Sequence, residues 1–177
     1  MLEAKPVRWA TKAYQDAKKL YLTAFPKWER FSLLSLLFMS LHKKVRFHAL
    51  YDNKQFCGIV YFAEGDATVY LAYLAISKKL RGRGYGTDIL KVPENEFSDK
   101  QIVIDIEPVI REAQNYKQRI SRLNFYEGNG FHRTHQMLKD DVGECETLTT
   151  GKKFDRAGFI KTLKQMSFGF YQFKVEK

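Results

Sequence analysis

Six residues constrain this chain more than any others. Arg81-Gly82-Arg83-Gly84-Tyr85-Gly86 stand between an apolar run at 69–76 and a stretch from Thr87 that fits an amphipathic helix until Pro93 disturbs it. The run at 69–76 is rich in aliphatic and aromatic residues, as in a buried strand. Strand, glycine turn and helix in that order make an anion site. Without a Cβ the backbone can curl until successive N–H groups converge, and the helix N-terminus adds orphan donors and the positive end of its dipole. Arg81 and Arg83 add charge at the rim, and the natural occupant is a pyrophosphate.

Glycine spacing narrows the choice of pyrophosphate. Gly82, Gly84 and Gly86 are spaced by two, which is not Gly-x-Gly-x-x-Gly, and Gly86 is followed by Thr87 with no P-loop lysine. A plain solvated turn and an RNA-binding Arg-Gly tract remain open for such a loop taken alone. The spacing Arg-x-x-Gly-x-Gly, as Arg81, Gly84 and Gly86, resembles the coenzyme A loop of the GNAT N-acetyltransferase superfamily. A short strand at 102–108, ended by Pro108, follows where a parallel neighbour is expected. Next, Arg119 to Phe131 resembles the second GNAT signature, a helix bearing a tyrosine (Tyr126) and closed by Asn129-Gly130-Phe131. Two signatures in order, covering about residues 5–150, are more specific than either alone.

The resemblance implies an α/β fold of α+β type: a mixed, mostly antiparallel sheet with a central splayed parallel strand pair flanked by helices. It implies acetyl-CoA as cosubstrate and an amine on a small molecule or peptide as acceptor. Gly82, Arg83, Gly84, Tyr85, Gly86 and Thr87 would hold the pyrophosphate, with Arg81 beside them. Leu74, Ala75 and Ile76 would pair with the pantetheine arm through backbone, and plain sheet core is compatible with that role. Tyr126 would be the general acid towards the departing thiolate, or else a packed core aromatic. Glu107 is the first choice of base, with Asp105 on the same face by alternation, and a turn carboxylate is the other reading of Glu107. Two departures stand out. Lys78 replaces a proline common before the loop, and Arg119 replaces an asparagine that contacts the pantetheine arm, so Arg119 would reach a phosphate or Asn115 would substitute.

Bulk properties fit one domain over 1–177. Cys57 and Cys145 lack metal spacing, and His132 with His135 has no partner pattern to complete a zinc site, so no metal is expected. Glu3, Lys5 and Arg8 interrupt any leader, and the apolar block at 31–41 is too short to cross a bilayer, so a cytoplasmic, non-membrane protein is expected. The net charge of +10 is spread through the chain without a nucleic-acid motif and suits an anionic cofactor. An acyl-CoA-binding module without catalysis is the alternative function, and a homodimer is open.

Along the chain we expect a strand at 6–9, helices at 12–24 and 27–42, strands at 45–51 and 55–63 joined by Asp52-Asn53, and a strand from Phe131. Beyond 150 we expect a helix at 152–167 and a strand through Tyr171, Phe173 and Val175 that cover a sheet edge, complete the acceptor cleft or build a dimer contact. The helix at 27–42 carries Trp28, Phe31, Leu34, Phe38 and Leu41 on one stripe and Leu33, Leu36, Leu37 and Met39 elsewhere. Such a helix is buried or lines a cleft for an acceptor with an apolar part.

Overall fold

The computed structural model describes residues 2–141 and 143–177. Eight strands form one sheet in the order β1-β2-β3-β4-β5-β7-β6-β8. They are β1 (Glu3–Pro6), β2 (Val45–Asp52), β3 (Gln55–Glu64), β4 (Thr68–Ile76), β5 (Gln101–Ile106), β6 (His132–Asp140), β7 (Glu144–Thr149) and β8 (Phe173–Glu176). Helices α1 (Lys12–Ala24), α2 (Leu33–Met39), α3 (Tyr85–Glu96), α4 (Tyr116–Gly128) and α5 (Arg156–Met166) flank it. Only β4 and β5 run parallel; every other pairing is antiparallel. The expected fold class is the one observed.

Helix α1 occupies the predicted residues. The Thr11 hydroxyl caps it by accepting from Tyr14 N–H, and Ala13, Ala17, Leu20 and Tyr21 form its buried stripe. Strands β2 and β3 meet at a tight turn in which Asn53 and Lys54 have φ of 47° and 69°, the hand that suits a twisted hairpin. The first strand lies earlier than expected, at Glu3–Pro6, as an exposed edge paired to β2.

The helix expected at 27–42 is broken. A single 3₁₀ turn (Lys27–Glu29) gives way to extended backbone, and α2 is only seven residues long. Tertiary hydrogen bonds explain the break. Phe31 N–H donates to the Tyr73 hydroxyl, and Phe31 C=O accepts from the Tyr21 hydroxyl, so neither group enters a helix. Ser32 then restarts the chain as an N-cap, its hydroxyl accepting from Ser35 N–H. Pro93, expected to disturb α3, lies inside it; the ring forfeits one backbone bond, and the helix runs on to Glu96, where Phe97 N–H closes on the Pro93 carbonyl.

Two apolar layers sandwich the sheet. Helices α1, α2 and α5 cover one face, with Phe47, Tyr61, Tyr70 and Tyr73 at its centre. Helices α3 and α4 cover the other, over Val60, Phe62, Ile102 and Ile104. The C-terminal extension is integral to the first layer: Phe159, Leu163 and Met166 of α5 are buried there, and β8 pairs with β6 through Leu138 and Val175. A strand not foreseen in the sequence, β7, inserts between β5 and β6.

If α5 belongs to the domain core, Phe159→Ala, which empties a fully buried site against Tyr70 (ring centroids 5.4 Å apart), should cost about 3–5 kcal/mol in a single urea transition. A change below about 1 kcal/mol, or a separate early transition, would mean that the extension folds apart from the sheet.

Candidate functional site

The glycine loop opens where β4 ends. Gly82 and Gly84 have φ of 73° and 84°, and a Cβ at either would meet nothing within 4 Å. They are glycines for conformation, in a space left open. Gly84 is the N-cap of α3 and offers no side chain to it, so the first-turn N–H groups of Tyr85, Gly86 and Thr87 face outwards without a backbone partner among the described residues. Arg81 and Arg83 are exposed on either side. Unpartnered N–H groups, the positive end of the helix dipole and two exposed arginines therefore share one loop. The side chain of Tyr85 serves the scaffold: its hydroxyl donates to Asp52 Oδ2 at 2.8 Å, tying the loop to the β2–β3 turn.

Gly86 differs from its neighbours. It is buried, and a Cβ there would lie 2.9 Å from the Phe125 ring of α4 and 3.0 Å from Ile76 Cδ1. Close packing of α3 against α4 requires this glycine, whatever binds above it.

Behind the loop, β4 and β5 part company. They pair only at Thr68–Gln101, Val69–Ile102 and Tyr70–Val103. A bulge at Ala72, which faces no residue of β3, then shifts the alternation of β4 so that Tyr73 and Ala75 join the α1/α2 layer while Leu74 and Ile76 join the α3/α4 layer. Leu74, Ala75 and Ile76 pair with β3 on one side and, among the described residues, with no strand on the other. That leaves an open backbone edge lining a gap between the strands.

Tyr126 stands on the α3/α4 side of this gap, half-buried between Phe125 and Phe131 with ring centroids 5.1 and 5.5 Å away. Its hydroxyl takes no hydrogen bond among the described residues. Burial pushes the phenol up to about 12, against a lowering by Arg122, so it holds its proton at any neutral pH.

Asp105 faces the opposite layer, beside Tyr70, while Glu107 is held at the end of β5 by α4, the helix that carries Tyr126. Glu107 is engaged by three partners: Arg119 Nη2 at 3.0 Å, Arg122 Nη1 at 2.9 Å and Asn115 Nδ2 at 3.1 Å. Arg119 also donates to the Pro108 carbonyl and to Asn115 Oδ1, both at 2.7 Å. Arg119 and Asn115, the two candidates for cofactor contact on this helix, are thus committed to fastening α4 to the end of β5. Asp105 is different. It accepts from the Tyr70 hydroxyl at 2.5 Å, and burial raises its pKa. The Cys145 thiol lies against it, itself pushed up by burial. Glu29, in the turn before α2, is raised by burial and by the charge of Glu107. Alternation along β5 already placed Asp105 beside Glu107, but Glu29, Tyr70 and Tyr73 carried no local signal and join the site only through the fold. Both cysteines are free, and no group of three or more potential metal ligands gathers among the described residues. No described helix is long and apolar enough to cross a membrane.

A sequence model of the acetyltransferase (GNAT) domain family matches residues 43–133. Among curated proteins the chain is similar to YjbC of Bacillus subtilis (strain 168), whose own assignment as an acetyltransferase is provisional, with 26% identity over 127 residues. That match covers 67% of this chain and 64% of the relative, so less than two thirds of YjbC's length. A GNAT-family structure from Bacteroides thetaiotaomicron superposes with a TM-score of 0.75 at 21% identity, covering 94% of this chain and 98% of its own. Arabidopsis thaliana Naa50, in complex with the bisubstrate analogue CoA-Ac-MVNAL, superposes with a TM-score of 0.60 at 18% identity, covering 85% and 98%. These structural likenesses concern the fold.

Gly86→Val should lower stability by about 1–3 kcal/mol in urea denaturation through overpacking against Phe125, and trimming Phe125 to leucine in the same chain should recover part of the loss. Equal stability of Gly86→Val and the parent protein would show that α3 and α4 are not in contact there.

Proposed function

The chain belongs to the GNAT acetyltransferase family, and from that premise we propose that it is an acetyl-CoA-dependent N-acetyltransferase acting on a primary amine by direct attack. One observation carries the reading: the unpaired edge of β4 separates a protonated phenol on one face of the sheet from a half-buried carboxylate on the other, directly behind an open anion cradle. An extended pantetheine arm can pair with 74–76 as an added strand. The cradle of Arg81, Gly82, Arg83, Gly84, Tyr85, Gly86 and Thr87 takes the pyrophosphate. A β4 N–H at the edge donates to the thioester oxygen as negative charge develops there.

Asp105, rather than Glu107, is the base we assign. The oxygens of Glu107 are already occupied by two arginines and an asparagine, whereas desolvation makes Asp105 a stronger proton acceptor. It takes a proton from the incoming amine, directly or through a water. The amine nitrogen then bonds to the acetyl carbon and the carbon–sulfur bond breaks. Tyr126 meets the departing thiolate with a hydrogen bond and a proton. A phenol near 12 is a weaker acid than an alkyl thiol near about 8.5, so its main contribution is a short charge-assisted bond to sulfur, with the proton delivered as solvent enters. Acyl-CoA binding without catalysis is the second reading, favoured by the full engagement of Glu107.

Tyr126→Phe keeps the packing and removes the donor. Turnover should fall by about 10²–10⁴ under conditions where chemistry limits, while acetyl-CoA affinity by calorimetry stays within about twofold. Unchanged turnover would return Tyr126 to a packing role, and no turnover by the parent protein with any amine would favour the binding module.

Asp105 yields a paired prediction. Because burial raises its pKa, its contribution to stability is full below the unfolded carboxylate range and is lost as pH rises through the folded value. Above its folded value the ionised group is a burden on folding. Asp105→Asn should therefore raise the melting temperature there while removing the acid limb of the kcat/KM profile and most of the rate. A less stable variant with its pH profile intact would refute the assignment.

A further inference from the structure

Resting on the acyltransfer reading above, we propose that the acceptor amine is carried on an apolar body: a small alkyl- or arylalkylamine lying in the groove between α2 and residues 167–172. This groove encloses about 650 Å³ and is walled by Leu34, Phe38, Phe168, Phe170, Asp140 and Asp141. That is the size range of small-molecule sites. The walls are unusually apolar for open surface: Leu34 is 65% exposed, Phe38 61% and Phe170 84%. Aromatic side chains left so uncovered on one contiguous face mark a place where something docks.

The far wall is held in an uncommon conformation. After α5, Phe168 and Gly169 take φ of 51° and 79° in succession, with Gly169 N–H closing on the Lys164 carbonyl. A bulky aromatic in the left-handed region is a genuine outlier. Here it sets the Phe168 ring 5.6 Å from that of Phe38, across the groove.

Charge narrows the class of ligand. The chain carries a net +10, so most of its surface repels a cation. At this groove the sign reverses. Asp140 and Asp141 line it, and the Asp140 charge is felt at Asp105. Inside, the Phe31 ring meets Tyr171 edge-on at 5.5 Å, the Tyr171 hydroxyl donates to Asp140, and Phe31 N–H reaches the Tyr73 hydroxyl on β4. Aromatic walls and two carboxylates along one groove fit an ammonium group carried on a hydrocarbon or aryl body. A polyamine would leave its second cation against Phe38 and Phe170 without a partner.

The test compares amines on the intact protein, reading free thiol released from acetyl-CoA. Phenethylamine and hexylamine should exceed ethylamine and ethanolamine in kcat/KM by about 10–100-fold. Phe38→Ser and Phe170→Ser should erase most of that advantage through the amine KM, with the KM for acetyl-CoA unchanged. Equal kcat/KM across the four amines overturns the proposal, as does a preference for spermidine or for an unmodified peptide N-terminus. So does a dimer, seen by sedimentation, that Phe170→Ser dissociates. Acetyl-CoA binding by calorimetry separates the two levels. Binding without turnover of any of these amines overturns the acceptor assignment alone, whereas no binding overturns the acyltransfer reading and this inference with it.

Discussion

Strands β4 and β5 pair at three positions and then separate, and the rest of the site follows from that separation. A sheet does not give up ladder hydrogen bonds in its middle without cause, because each unpaired N–H and C=O carries a desolvation penalty once covered. Here both strands are fixed from outside. β3 holds β4 through Gly58–Ile76, Ile59–Ala75 and Val60–Leu74. β7 holds β5 from Val103 to Ile106. The bulge at Ala72 supplies the divergence, since an extra residue bends a strand and increases its twist. The result is an internal edge, protected from other chains by the layers above and below it, and open only to something narrow and extended.

The same divergence sorts the ionisable groups. Phenols and carboxylates on the α1/α2 face are closely matched: Tyr70 donates to Asp105, Tyr171 to Asp140 and Tyr51 to Asp16. Burial raises the phenols in each pair, so each remains a donor and never competes as an anion. Tyr73 uses its hydroxyl twice, donating to the Glu29 carbonyl and accepting from Phe31 N–H. Together with the Tyr21 hydroxyl on the Phe31 carbonyl, it fixes the 29–31 segment. On the other face Tyr126 stands alone among aromatic rings, without a carboxylate partner.

Much of this was legible in the sequence, and the exceptions share a cause. The glycine loop, the hairpin at Asn53, helix α1 and the tyrosine helix are set by local chemistry: φ requirements, caps and apolar spacing within a few residues. The broken second helix was not legible, because hydroxyls of Tyr21 and Tyr73, 10 and 42 residues away in the chain, take the backbone of Phe31. Local spacing alone joined 27–42 into one helix. The surroundings of the two carboxylates were illegible for a similar reason. Glu107 and Asp105 look alike by alternation, and only α4, arriving with Arg119 and Arg122, distinguishes a clamped group from an available one. Pro93 shows the reverse error, since tertiary packing around a helix tolerates one missing backbone bond.

The three glycines of the loop answer to different masters, and this bears on how divergent members of the family are to be compared. Gly86 is demanded by the Phe125 ring pressing on it from α4, a requirement of folding that persists in a chain that has lost its chemistry. A Cβ at Gly82 or Gly84 would meet nothing within 4 Å, and what these two supply is a left-handed backbone at the start of α3. A lineage that ceased to bind a pyrophosphate would be free to drift at 82 and 84 while still keeping 86. Retention of the third glycine is therefore a record of architecture. The first two record only the left-handed turn of the loop.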